Sequence, residues 1–469
     1  MAQYACLDDL QTWLDSYLNF ERLPQKNIFW LDTMQFLCRA FDNPQDAAPA
    51  FHIAGSKGKG SVSAMIASIL DAAGYKAGLY SSPHILDFVE RITSARGVFA
   101  EPVYRAAADT LQKKIAALPQ SSLPGGRALT WFELVTLYAF LCFKEAKTDY
   151  NVLEVGLGGR LDATNVVTPL VSCITPIELE HTEFLGTTIA QIAAEKGGII
   201  KDGIPVVIAG QTPEARAVFT RIAAEKGAKA YFLDDIADIQ TEFVLPTVKN
   251  SVKNHTSSEY FEQHWRMQTT IRSDVFARPL TARLRLLGTF QAENAALAAV
   301  AVKTAIPEIS EAAIEAGLEQ AMLPGRFEIV ANSAGKQPFV ILDGAHTVRS
   351  ITYTLQTFRA VFGNTDAHLL FACAADKDMQ DIAPLFKGRF SRVTLTRPGA
   401  VKQSNLPALT AAFDAAGMRY DCNEDFAQAI TTALHAAQSA GVPLLVTGSF
   451  YLLAEVKKVL KSIGGITRT

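Results

Sequence analysis

The stretch FHIAGSKGKGS, residues 51–61, decides how the rest of the chain is read. Phe51, His52, Ile53 and Ala54 form a short run of strand-compatible residues that breaks at Gly55 into a loop with three glycines. From Ser61 onward Val62, Met65, Ile66, Ile69 and Leu70 recur at helical spacing. Strand, glycine loop and helix start together make a phosphate cradle: glycines let backbone N–H groups turn inward, and the helix N-terminus adds partial positive charge. Lys59 is placed to reach the β- and γ-phosphates, and Ser61 to put a hydroxyl beside a magnesium ion. The spacing departs from the usual phosphate loop, because Gly60 stands between Lys59 and Ser61 and Gly55 lies only three residues before Gly58. An ordinary glycine-rich turn is the alternative; with a strand before and a helix after, a nucleotide site is the reading adopted.

At 469 residues the chain is longer than one hydrophobic core usually serves, so two domains are expected. A composition of 49% hydrophobic and 19% charged residues is that of a soluble globular protein. A net charge of -3 with mixed signs offers no electrostatic footprint for nucleic acid or an anionic membrane. The six cysteines are scattered without a CxxC pair, several within apolar runs, which points to buried free thiols in a reducing compartment. The opening residues lack the basic and apolar regions of a secretory signal, so a cytoplasmic location is expected. Phe426 to Ala454 carries no formal charge, yet its polar residues and the turn at 440–443 divide it into helix, turn and strand instead of a membrane span.

Outward from the loop, helices are expected over 6–20, 28–41, 131–147, 188–200, 212–226, 291–304 and 309–321. Strands are expected over 76–80, 152–155, 170–175, 204–208 and 228–232. The loop SSPHILDFVERI (81–92) is aperiodic but holds Ser82, His84, Asp87, Glu90 and Arg91. Glu154, inside an apolar strand, would cost several kcal/mol to bury unpaired, so it either ion-pairs or faces a cation, magnesium being the economical partner. His181 lies past a strand's carboxyl end, where ligands gather in open α/β sheets, although a structural role is the commoner one for a lone histidine. For Glu195 and Lys196 a solvated helix face is the plain reading. Residues 233–280 lose periodicity and read as an irregular or hairpin-rich insertion, with alternations at Phe243, Leu245 and Met267, Ile271. Beyond Pro324-Gly325, strands at 339–342, 369–373, 393–396 and 444–447 alternate with helices. The fold expected is α/β: a P-loop-type doubly wound N-terminal domain (1–323) plus a smaller Rossmann-like α/β C-terminal domain (324–469).

Taken together, FHIAGSKGKGS, SSPHILDFVERI, TWFE, VLEVGLGGRLDATNVV, EHTEFLG and AAEKGGIIK resemble the folylpolyglutamate synthase/dihydrofolate synthase family, which belongs with the Mur ligases. LLGTFQAENAALA, LPGRFEIV, VILDGAH, ADKD, LTRP and VTGSFYLLAEV extend the resemblance, which runs from about residue 28 to 460. It implies an ATP-dependent ligase: ATP phosphorylates a carboxylate of a pterin-containing acceptor, and the amino group of L-glutamate attacks the acyl phosphate to form an amide. The acceptor implied is dihydropteroate, a reduced folate, or both. Gly58, Lys59, Gly60 and Ser61 resemble the phosphate-binding residues, and Ser61, Ser82 and Glu154 resemble ligands of a first magnesium. His181 resembles a ligand of a second one shared with Glu154, and Lys196 the family's carbamylated lysine, whose carbamate is an anionic oxygen ligand where an ammonium would repel the metal. Asn294, Arg326, Asp343 and His346 resemble nucleotide contacts, Thr130, Phe132, Asp162 and Ala163 pterin contacts, and Ser449 a residue near the glutamate. A site in a cleft that closes over the acyl phosphate, and a monomeric protein, are further expectations.

The chain departs from the family pattern in four places. GTNGKGS reads GSKGKGS, so Lys57 either adds attraction for phosphate or points outward; DH reads Glu180-His181; AHNP reads AHTV; and GxHQ reads GTFQ, with Phe290 in place of histidine. Two rival readings are a Mur-type ligase acting on a cell-wall precursor and a nucleotide-gated switch. The SSPH and LEVGLGGRLDATN runs favour the folate branch over the first, and no guanine-reading N-K-x-D supports the second.

Overall fold

The computed structural model describes residues 5–19, 30–244, 265–330, 339–400 and 402–462. The chain divides into two compact units. Met1–Gln240, Thr270–Ala282 and Ala292–Ala321 form the first, and Thr241–Thr269, Arg283–Gln291 and Met322–Thr469 the second.

The first unit is built on seven strands: β1 (Ala50–Ala54), β2 (Ala77–Tyr80), β3 (Ile92–Ser94), β4 (Tyr150–Glu154), β5 (Val171–Ile174), β6 (Val206–Ile208) and β7 (Ala230–Phe232). Their order is β3-β2-β4-β1-β5-β6-β7. Every neighbouring pair is parallel except β2 with β3. β1 is central and buried along its whole length, as are β2 and β5. Such strands need helices on both faces, which is why they read as continuous apolar runs. The chain leaves β1 for β2 on one side, while its neighbour β5 leads to β6 on the other, so the crevice between their carboxyl ends is where a ligand site is expected.

The helix after β1 spans Lys59–Ala72, starting two residues earlier than the expected Ser61. Gly58, at φ 96°, makes the left-handed turn that lets Lys59 enter the helix. The helix is buried from Gly60 to Leu70, and Ser68 Oγ donates to Gly317 O at 2.7 Å on helix Glu311–Gln320. N-terminal helices cover Ala5–Leu14 and Leu31–Ala40, shorter than 6–20 and 28–41, and residues 28 and 29 lie outside the described residues. The sequence reading left out the helix Glu101–Ala117, although Tyr104, Ala107, Ala108, Leu111 and Ile115 mark its buried face. It also left out β3, an edge strand of three residues.

The expected irregular stretch contains β8 (Asp238–Val244) and β9 (Arg266–Arg272) and ends where β10 (Leu280–Leu284) begins, the three forming a sheet in the order β10-β9-β8. Met267, Thr269 and Ile271 are buried in alternation along β9, and Leu280, Ala282 and Leu284 along β10. The expectation for Leu245 and for the polar run 249–264 lies outside the described residues.

The second unit carries β11 (Glu328–Val330), β12 (Val340–Asp343), β13 (His368–Phe371), β14 (Arg392–Leu395), β15 (Asp421–Cys422) and β16 (Leu444–Thr447), in the order β11-β12-β16-β13-β14-β15. Among the described residues only β11 runs antiparallel to its neighbour. Phe371, Phe386 and Phe413 form an aromatic core, with ring centroids 5.0 to 6.1 Å apart. The uncharged stretch resolves into helix Phe426–Ala440, a turn at Gly441, β16, and the start of helix Phe450–Ser462. Among the described residues no helix is long and apolar enough to cross a membrane. Cys38, Cys142, Cys173 and Cys373 are buried free thiols, and Cys422 is an exposed one.

Candidate active site

Strand register brings the expected residues of the first unit to one edge. Ile53 of β1 lies beside Glu154 of β4, and Tyr80 of β2 beside Leu153. The glycine loop, Glu154 and Ser82 therefore leave neighbouring strand ends. The Ser82 backbone N–H donates to Glu154 Oε2 at 3.1 Å, and Glu154 is 5% exposed. The loop itself is pinned to the segment after β5. Ser56 N–H donates to Pro176 O at 3.0 Å, and a Cβ on Gly55 would lie 1.8 Å from Thr175 Oγ1. Asn294 packs on the loop as well, its Oδ1 2.5 Å from where a Gly58 Cβ would stand.

Four charged groups meet under the loop. Lys59 Nζ donates to Gly55 O at 3.0 Å, and Lys196 Nζ reaches the same carbonyl at 2.9 Å. Lys196 Nζ also donates to Glu180 Oε1 at 3.0 Å, while Lys57 Nζ lies 3.5 Å from Glu180 Oε2. Lys196 is 2% exposed, so the solvated face read from its sequence is corrected to a buried one. Lys57 does not simply point outward but pairs with Glu180; two departures from the family pattern thus meet each other. Burial works to raise the Glu180 carboxyl, but the charges of Lys196, Lys59, Lys57 and His181 outweigh it and hold it at about 2. Burial likewise pulls the Lys196 ammonium down to about 8, against the opposing pull of Glu180.

His181 is exposed and sits at φ 48°, capping the short turn of helix Thr182–Leu185. Among the described residues no group of three His, Cys, Asp or Glu side chains is placed to hold a metal ion. Glu195, next to Lys196, faces outward, where Arg160 Nη2 pairs with it at 2.9 Å.

The residues expected at the pterin form a second patch in the same unit. Thr130 caps helix Trp131–Ala146: its Oγ1 accepts the Glu133 N–H at 3.2 Å, while its own N–H and hydroxyl donate to Glu133 Oε2, each at 2.8 Å. Phe132, one residue into the helix, leans on the turn after β4, with its ring 2.4 Å from where a Gly156 Cβ would be. Asp162 Oδ2 accepts the N–H groups of Gly156 and Leu157 at 3.0 and 2.9 Å, and Ala163 follows it, buried. Phe132, Gly156, Asp162 and Ala163 therefore belong to one turn and its cover. Burial raises the Asp162 carboxyl, and its four hydrogen-bond donors oppose that shift.

In the second unit the strand ends gather a smaller set. Asp343 closes β12 beside Thr447 of β16. Its Oδ2 accepts the Phe327 N–H at 2.8 Å, and its Oδ1 accepts the Ala345 N–H at 2.8 Å and the Thr354 hydroxyl at 3.1 Å. Arg326 lies over the Phe450 ring at 4.4 Å, His346 Nδ1 is 2.7 Å from Gly344 O, and the His346 and Phe450 rings are 6.3 Å apart. Ser449, buried, accepts the Tyr451 N–H at 3.2 Å. Phe450, Gly156 and Thr175 were not singled out from the sequence. Their only signal was position, each lying within two residues of a strand end or a motif already read.

A glycine loop at the switch point of a mostly parallel sheet, with a buried carboxylate on the neighbouring strand and a second α/β unit, is the architecture of the ATP-dependent ligases of the Mur class. The Mur ligase middle domain matches residues 53–302, and the Mur ligase glutamate ligase domain matches residues 325–450. The chain is 32% identical to the dihydrofolate synthase/folylpolyglutamate synthase of Bacillus subtilis (strain 168), over 98% of this chain and 100% of that protein. It is also similar to the structure of Mycobacterium tuberculosis folylpolyglutamate synthase complexed with ADP, with a TM-score of 0.81 at 27% identity, covering 99% of each chain. The Escherichia coli FolC structure in complex with DHPP and ADP gives a TM-score of 0.79 at 28% identity, covering 97% of this chain and 98% of that one. The chain belongs to the folylpolyglutamate synthase/dihydrofolate synthase family.

Proposed function

We propose that the protein joins L-glutamate to a pterin-containing acceptor, dihydropteroate or a reduced folate or both, using ATP and passing through an acyl phosphate. The observation that carries this reading is the cluster at the carboxyl edge of the first sheet: Lys59 on the glycine loop, with Glu154 and Ser82 on the adjoining strand ends. The loop's N–H groups and Lys59 hold the phosphates, and Asn294 keeps the loop in place. Arg326, Asp343 and His346 take the nucleotide's phosphates and ribose, and Ser449 lies toward the glutamate. Thr130, Phe132, Asp162 and Ala163 hold the acceptor, whose carboxylate becomes the acyl phosphate. Phosphorylation supplies the driving force a carboxylate lacks, and the protein contributes position and charge neutralisation.

The donor set fits one magnesium ion that retains water and phosphate oxygens: the buried Glu154 carboxylate with the Ser61 and Ser82 hydroxyls. Bound there, magnesium neutralises the charge on the phosphate oxygens. A second ion at Glu154 and His181 fits only once Lys196 loses its positive charge. Burial favours that change, since an ammonium pulled down to about 8 leaves some neutral amine at neutral pH, the form that adds carbon dioxide to give a carbamate. The buried free thiols support a cytoplasmic setting.

The deciding experiment offers purified protein ATP, magnesium and glutamate with each acceptor in turn, and follows the amide by mass spectrometry. Amide formation with dihydropteroate or tetrahydrofolate is expected. Phosphate release without amide would instead indicate a switch, and amide only on a cell-wall precursor a Mur-type ligase. The mass of the intact protein, raised by one carbon dioxide at Lys196, tests the carbamate.

A further inference from the structure

His52 lies on β1 three residues before Gly55 and is wholly buried. Its Nε2 is 2.8 Å from Thr164 Oγ1. The Thr164 hydroxyl donates to Asp162 Oδ1 at 2.5 Å, and the Thr164 backbone N–H reaches the same oxygen at 3.0 Å. A hydroxyl has one proton, and here it goes to the carboxylate. The imidazole must therefore donate to the hydroxyl oxygen, which puts its proton on Nε2. Nδ1 is then a buried acceptor, and among the described residues it has no hydrogen-bond partner. An unsatisfied buried polar atom costs about 1–3 kcal/mol. A leucine in this central strand would avoid that cost, so the imidazole is not explained by packing.

The far end of the chain of hydrogen bonds shows its use. Three of the four donors to Asp162 are main-chain N–H groups, those of Gly156, Leu157 and Thr164. They stabilise the carboxylate, but the Thr164 hydroxyl alone is fixed from outside the turn, by His52. We infer that His52 is a positioning residue for the acceptor site: acting through Thr164, it sets the orientation in which Asp162 holds the Gly156–Leu157 turn against Phe132. The strand that leads into the phosphate loop is thereby tied to the turn that follows Glu154, so the two halves of the site are held in one register. This inference rests on the assignment of Phe132, Asp162 and Ala163 to the acceptor.

Thr164→Val removes the hydroxyl and keeps the branched shape, and Thr164→Ser keeps the hydroxyl. With Thr164→Val, KM for the acceptor is expected to rise about ten-fold, the scale of one hydrogen bond to a charged group, while KM for ATP stays unchanged. Thr164→Ser restores the original acceptor KM. Nitrogen NMR of the His52 imidazole gives a second readout: a neutral Nε2–H ring in the unmodified protein and the Ser variant, and a mixture of tautomers in the Val variant. Equal rises in both KM values, a Ser variant that behaves like Val, or an Nδ1–H ring in the unmodified protein would each overturn the inference. If the unmodified protein forms no amide with either acceptor, the proposed function fails instead, and the imidazole spectrum still decides whether the relay exists.

Discussion

The two units hold a carboxylate near the carboxyl edge of a parallel sheet in different ways. In the first, Glu180 is met by side-chain cations, Lys196 at 3.0 Å and Lys57 at 3.5 Å, with Lys59 sharing the Gly55 carbonyl with Lys196. In the second, Asp343 accepts two backbone N–H groups and a hydroxyl, and the single cation acting on it among the described residues, Arg326, rests on the Phe450 ring while its charge opposes the burial of the carboxyl. Charges that compensate one another are sensitive to the loss of any one of them, and to an incoming anion. A carboxylate hydrogen-bonded by the main chain depends on the backbone path, with one ring-held arginine adding its charge. The first arrangement suits a place where phosphates arrive and charge is redistributed; the second suits a fixed contact.

The largest expected effect is at Lys59. Lys59→Ala should lower phosphate release at least about 1000-fold with every acceptor, because a phosphate-facing cation acts where charge develops. Near-full turnover in a steady-state assay would mean that the loop does not hold the triphosphate. Next is Glu180→Gln, which leaves the Lys196 ammonium buried at 2% exposure without its counter-ion. A loss of about 3 kcal/mol in denaturant-measured stability is expected, as for other broken buried pairs. If Asp343→Asn in the second unit proved the more damaging of the two, the compensated charges around Glu180 would not be the more sensitive arrangement.

His52 adds a pH-dependent term to the first unit. Burial, with Lys201 adding repulsion, lowers its imidazole to about 3, whereas in the unfolded chain it titrates near 6.5. Between those values the unfolded state binds the extra proton, so stability falls as pH drops through that window, at about 1.4 kcal/mol per pH unit. His52→Gln should flatten the slope by one proton when unfolding is followed by urea titration at several pH values. An unchanged slope would mean that the imidazole is protonated in the folded protein.

Much of this was legible in the sequence, and the physical reason is specific. Buried parallel strands announce themselves as apolar runs, so β1, β4, β5 and β16 were found within two residues at either end, and the glycine loop between β1 and its helix marked the site. What escaped lacked a local signal. The edge strand β3 is three residues long and amphipathic in neither sense; β15, of two residues, is exposed at both. The pairing of Lys57 with Glu180 joins residues far apart in sequence, and only the return of the chain after β5 brings them together. Lys196 looked like any helix-surface lysine because a cation is not read as a core residue, although it shares the buried face of its helix with Ile192, Ala193 and Gly197.

Phe450→Leu tests the second unit. The ring lies under the Arg326 guanidinium at 4.4 Å, and a cation–π contact of this kind contributes about 0.5–2 kcal/mol. KM for ATP is therefore expected to rise about five-fold with little change in melting temperature, and a large loss of stability would show that the ring serves the core instead.

The smallest effect belongs to Lys57, and it separates the two arrangements most finely. Its side chain is 30% exposed and its distance to Glu180 is longer than that of Lys196, so Lys57→Met should cost no more than about 1 kcal/mol in the free protein. Lys196 still neutralises Glu180 after the change. Its consequence should appear only with nucleotide present, where one cation fewer near the loop raises KM for ATP and lessens the dependence of that KM on salt. A double-mutant cycle with Glu180→Gln should then show coupling below that of the Lys196–Glu180 pair. Equal coupling would mean that Glu180 is shared evenly by both lysines, making Lys57 as much a part of the buried cluster as Lys196.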